Sequence, residues 1–141
     1  MFTSSFQASS GRSQQFANLY RQVGVETGVS AATPHRLVQM LFDGLVDEIG
    51  HARVALARGQ IEAKGRHIGR AARIVEEGLR AGLNLKAGGE LAANLHNLYG
   101  YVVVRLTHAN LRNDRQALDE VDGLIAPLRD AWTTIGERLP S

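Results

Sequence analysis

The chain has 141 residues, which suits one domain with a core of its own. Sixteen Lys and Arg against fourteen Asp and Glu leave a net charge of only +2, too weak a field to be a nucleic-acid signature, and there is no cysteine to form disulfides or thiolate metal sites. The start, MFTSSFQASSGRSQQ, lacks an apolar run of signal-peptide length, and no stretch approaches the roughly 18 apolar residues of a membrane span, so the expected setting is cytoplasmic, without stable membrane insertion.

Residues 1–31 are expected to form a flexible N-terminal segment. The first fifteen are rich in Ser, Gln and Gly, a composition that buries little. Phe16, Leu19, Tyr20 and Val23 follow at helical spacing and could share one stripe of a short capping helix, with Gly24 and Gly28 limiting its length.

Residues 32–137 are expected to form four helices. Thr33 can cap the first, with Pro34 at the position where a missing N–H costs nothing. Leu37, Leu41, Leu45, Ile49, Ala52 and Leu56 then recur every three or four residues, and Gly59 is free to take the left-handed conformation that ends a helix. The second helix is predicted from about Gln60 to Leu83, with Ile61, Ile68, Ala72, Val75 and Leu79 facing the core. Lys86-Ala-Gly-Gly89 should interrupt it. The third is predicted to start near Glu90, with Leu91, Leu95, Leu98, Val102, Leu106 and Ala109 inward. Asn113-Asp114 reads as a stop followed by a cap. The fourth helix carries Leu118, Val121, Ile125, Leu128, Trp132 and Ile135, with Pro127 predicted to kink it without breaking it.

The stretch YGYVVVRL, residues 99–106, has strand-like residues but no convincing strand partner. Helical periodicity flanks it on both sides, so it is predicted to be helix. Tyr101 and Val103 then fall on the two flanks of the inward face, and Val104 lies opposite. That is more apolar surface than one seam of a bundle needs, and the surplus on Tyr101 and Val103 is a candidate surface for a partner helix. Short connections make the expected fold all-α, an antiparallel up-and-down four-helix bundle.

Several chemistries are weighed and set aside. A di-metal bundle needs two Glu-x-x-His motifs. Glu48-Ile-Gly-His51 supplies one, read here as a solvated Glu–His pair, and no metal or other cofactor is expected. His67-Ile-Gly-Arg70 faintly resembles the pattern of a histidine phosphotransfer domain, which makes phosphotransfer through His67 the alternative function. Lys64, Arg66, Arg70, Arg73 and Arg80 could make a basic stripe, but Glu62, Glu76 and Glu77 balance it and no stacking aromatics accompany it, so no nucleic-acid partner is expected. No nucleophile–base pair or phosphate-cradling loop is recognisable. The chain reads as a binding module, not an enzyme.

Three blocks carry a resemblance: Tyr20-Arg-Gln-Val-Gly-Val-Glu-Thr27 leading to Ala32-Thr-Pro-His-Arg-Leu-Val-Gln-Met-Leu-Phe-Asp-Gly44; Leu91-Ala-Ala-Asn-Leu-His-Asn-Leu-Tyr-Gly-Tyr101 leading to Ala109-Asn-Leu-Arg-Asn-Asp114; and Leu118-Asp-Glu-Val-Asp-Gly-Leu-Ile125 leading to Ala131-Trp132. Together they resemble the flagellar secretion chaperones of the FliS family over roughly residues 20–135. The resemblance implies a non-enzymatic helical bundle that binds the C-terminal segment of unpolymerised flagellin. It implies prevention of premature filament assembly and delivery to the flagellar type III export apparatus, through the cytoplasmic domain of the export gate protein. It also implies an N-terminal segment that covers part of the binding surface until flagellin displaces it. Tyr20 matches the aromatic of that segment, and with Phe16 and Val23 it would form the covering stripe. Pro127 and the arginines of the second helix depart from the family pattern.

Overall fold

The structure is a computed structural model that describes residues 32–139. Four helical rods follow one another: α1 (Pro34–Ala57), α2 (Ile61–Arg73) continued by a π-helical segment (Ile74–Arg80), α3 (Leu85–Arg112) and α4 (Arg115–Glu137). No strand occurs among the described residues, so the fold is an all-α bundle. Residues 99–106 lie inside α3, where packing overrides their local preference for a strand.

The caps expected from the sequence are present as hydrogen bonds. The Thr33 hydroxyl accepts from Arg36 N–H at 3.1 Å, and Pro34 opens α1. At the other end Gly59 has φ of 71°. The Gln60 and Gly59 amides donate back to the carbonyls of Ala55 and Leu56 at 2.8 and 3.1 Å, closing the last turn as a Schellman motif. Asn113 takes the left-handed conformation with φ of 52°, and the Asp114 carboxylate accepts from the amides of Gln116 and Ala117 at 3.0 and 3.3 Å.

α1 packs against α2, the π segment and α4. This explains why Val38, Met40 and Phe42 are buried in addition to the single stripe of Leu37, Leu41, Leu45 and Ile49. Ile68, Ala71 and Val75 meet them from the second rod, Val102, Leu106 and Ala109 from α3, and Leu118, Val121 and Ile125 from α4. The start of α1 touches the end of α4: His35 and Trp132 stack with centroids 4.7 Å apart and planes 3° from parallel. Trp132 Nε1–H donates to the His35 carbonyl at 3.0 Å, and His35 Nε2 lies 2.8 Å from the Trp132 carbonyl. Gly136 admits that imidazole, because a Cβ there would sit 2.2 Å from a ring carbon.

Four expectations need correction. The second rod is not α-helical to Leu83; it changes to π from Ile74, with Ala81 N–H bonded to the Glu76 carbonyl five residues back. Lys86–Gly89 does interrupt the helix, at non-helical Gly89, but a short helical turn precedes that point. The Asn84 side chain accepts from Ala87 N–H at 2.9 Å and starts α3 at Leu85, and the break narrows to a kink at Gly89 (φ 55°, ψ −137°). Ile61, Leu91 and Ile135, expected in the core, are about half exposed at 48, 54 and 49 %. Lys64, expected on a solvated basic face, is buried, its ammonium donating to the Asn110 carbonyl at 2.9 Å and to the Asn113 side chain. It supplies positive charge where α3's carbonyls end. One further expectation holds: α4 is not broken at Pro127 and runs on to Glu137.

Candidate functional site

Two of the exposed apolar residues, Leu91 near the start of α3 and Ile135 near the end of α4, belong together. Leu91 and Ile135 stand on the rims of one apolar trough with a cavity volume of about 190 Å³. Its α3 wall is Leu91, Leu95 and Tyr99; its α4 wall is Leu128, Ala131, Trp132 and Ile135. Val38 and Phe42 of α1 contribute to the lining, as do Leu79 at the end of the π segment and Leu83 in the turn after it. The lining is almost wholly apolar.

Local chemistry explains the opening. At Gly89 the chain adopts a φ that side chains other than glycine's rarely tolerate, so the first turn of α3 takes a different direction from the rest of the rod. Gly88 allows a tight turn there: a Cβ would come within 2.5 Å of the Ala92 Cβ. Beyond the kink Leu91 is exposed and Leu95 only half-buried, whereas Tyr99, Val102 and Leu106 further along are buried. Arg80, which follows Leu79, spreads its guanidinium over Gly100 of α3, where a Cβ would meet Nη2 at 2.9 Å. It also bonds Glu76 at 3.1 Å. Burial raises the Tyr99 phenol well above its ordinary value.

The expected partner-binding residues divide in two groups. Phe16, Tyr20 and Val23 lie outside the described residues. Tyr101 and Val103 do not line the trough. Tyr101 is 45 % exposed and donates its hydroxyl to Glu120 Oε2 at 2.6 Å, while Arg105 Nε holds the other oxygen at 2.7 Å. These bonds, the tyrosine's first, hold the Glu120 carboxyl below its ordinary value, and Glu120 pushes the Tyr101 phenol up. Val103 is half-buried against the core. Val104, on the far side, is 63 % exposed.

Two further readings change. Glu48 is not solvated; it is buried, with Oε2 2.8 Å from Nδ1 of His67. His67 is therefore half-buried and engaged with a carboxylate, not the freely exposed imidazole that phosphotransfer requires.

A four-helix bundle with an open apolar trough lined by all four of its rods defines a helical protein that presents hydrophobic surface. The chain belongs to the FliS family: the family model described as "Flagellar protein FliS" matches residues 16–139. It is similar to the flagellar secretion chaperone FliS of Salmonella typhimurium, 46 % identical over 119 residues that cover 84 % of this chain and 88 % of that protein. The flagellar secretion chaperone FliSB of Pseudomonas aeruginosa is 46 % identical over 116 residues, covering 82 % and 91 %. The FliS of Bacillus subtilis is 34 % identical over 107 residues, covering 76 % and 78 %.

Proposed function

We propose that this protein is a flagellin export chaperone, working in the cytoplasm by binding and not by catalysis. The observation that carries the reading is the open trough in a chain of the FliS family, with Leu91 and Ile135 half exposed on its rims. A subunit that polymerises through apolar helix stripes carries those stripes uncovered until it assembles. A trough walled by Leu95, Tyr99, Trp132 and Ile135 offers them a temporary mate. The partner is the C-terminal segment of unpolymerised flagellin. Its capture blocks premature filament growth, and the loaded complex docks on the cytoplasmic domain of the flagellar export gate protein.

A segment that orders on binding must offset that entropy with extended contact. The partner therefore continues past the trough across the flank carrying Tyr101 and Val103. In the free protein Phe16, Tyr20 and Val23 cover the trough and yield it to flagellin.

The test is co-purification with flagellin. Intact flagellin is expected to bind near one to one, and flagellin lacking its C-terminal segment not at all; equal binding of both would refute the proposal. Tyr20→Ala is expected to change the rate of flagellin association while leaving the melting temperature of the bundle in place. A large drop in melting temperature would assign Tyr20 to the core instead.

A further inference from the structure

A second cluster stands apart from the trough. Glu48 and His51 are three residues apart on α1, so both project from one face of that helix. His67 of α2 faces them. One donor atom from each of the three lies within 4.8 Å of the other two. His67 Nδ1 is 2.8 Å from Glu48 Oε2, and the two imidazoles lie with centroids 5.0 Å apart and planes tilted by 50°. A tetrahedral zinc centre with bonds of about 2.0–2.1 Å sets its donors roughly 3.3 Å apart. Reaching that spacing requires rotation of the exposed His51 and half-buried His67 rings.

We propose that Glu48, His51 and His67 form a binding site for a divalent transition-metal ion of the zinc type, which clasps α1 to α2. Two imidazoles and one carboxylate suit zinc and its neighbours and disfavour the oxygen-seeking magnesium and calcium ions. Glu48 is buried and fixed, so it anchors the set, whereas His51 is exposed and leaves room for water as the fourth ligand. The ion takes the place of the proton between His67 Nδ1 and Glu48, and the metal-bound imidazole carries its one proton on Nε2. One neighbour opposes it: Nη1 of Arg70 lies 3.9 Å from Glu48 Oε1 and competes as a cation for the same carboxylate. None of the three ligands lines the trough, so the ion and an apolar partner can bind together.

The test is calorimetric titration of the untagged full chain with Zn²⁺ after removal of metals by a chelator. One ion per chain is expected, with a higher melting temperature in its presence and no response to Mg²⁺. His51→Ala and His67→Gln are each expected to weaken binding at least tenfold, and His96→Gln, outside the cluster, to leave it unchanged. Arg70→Gln is expected to tighten binding several-fold, which scattered association with surface histidines would not produce. His51 is exposed, so His51→Ala keeps the fold, to be checked by an unchanged helical circular-dichroism spectrum and metal-free melting temperature. Absence of saturable Zn²⁺ binding, or binding equal in the parent, His51→Ala and His67→Gln, would overturn the proposal.

Discussion

Trp132 ties the end of α4 to the beginning of α1. Its indole stacks on His35, its N–H reaches the His35 carbonyl, and its edge helps wall the trough. Replacing a buried tryptophan with alanine costs about 3–5 kcal/mol, so Trp132→Ala is expected to lower the denaturant midpoint sharply and abolish trough binding with it. Glu120 allows a finer experiment. Its carboxyl titrates below its ordinary value because Tyr101, and then Arg105, bond its charged form. The folded chain therefore favours the carboxylate more than the unfolded chain does. The resulting stabilisation is complete above the ordinary glutamate value and is lost as pH falls through the lowered one. Solvent exposure keeps the effect small. Glu120→Gln is expected to reduce the fall in stability between about pH 5 and pH 3, measured by denaturant titration at each pH.

Helix boundaries were the clearest part of the sequence, because each is chemical. Thr33 with Pro34, Gly59, and Asn113 with Asp114 all sit at the ends their side chains or backbone freedom suggest. Two irregularities are only partly legible in the sequence, for a physical reason. A π segment leaves the apolar periodicity nearly intact: Val75 and Leu79 are buried as a simple α stripe would have them. Gly88-Gly89 signals a break but cannot say whether Asn84 will cap a further turn before it. α4 continues through Pro127 unbroken, as the apolar stripe resuming in phase beyond it predicts. Pro127 and Gly123, whose carbonyl loses its donor, are both exposed, so water can take the missing bond. Because proline in a helix interior costs about 3 kcal/mol relative to alanine, Pro127→Ala is expected to raise stability by up to that amount, read as a higher melting temperature. A decrease would mean that α4 needs the local distortion.

Assembly of the rods created what periodicity could not reveal. Tyr99, Leu95 and Trp132 were readable as inward-facing residues, and they are the trough's walls. Leu91 and Ile135 continued the same stripes and were read as core, but periodicity carries no information about where a neighbouring rod bends away. The surplus apolar surface was visible; its location depended on a kink at one glycine. The burial and partners of Lys64, Glu48 and His67 are hidden for a related reason, since polar residues at helical spacing look solvated until a second helix covers them. Ile135 now gives a direct test. It is half exposed and already tolerates water, so Ile135→Asp is expected to change the melting temperature by only a few degrees while weakening flagellin binding at least tenfold. A large loss of stability without loss of binding would place Ile135 in the core after all.

The trough draws its walls from α1, the π segment, α3 and α4, with Trp132 and Ile135 near the far end of the chain. During synthesis, Val38, Phe42, Leu79 and Tyr99 are joined to the chain before those last residues exist. A nascent chain halted before α4 would expose half a binding surface and no bundle to support it. Competence to bind at the trough therefore waits for α4, which supplies one of its two long walls.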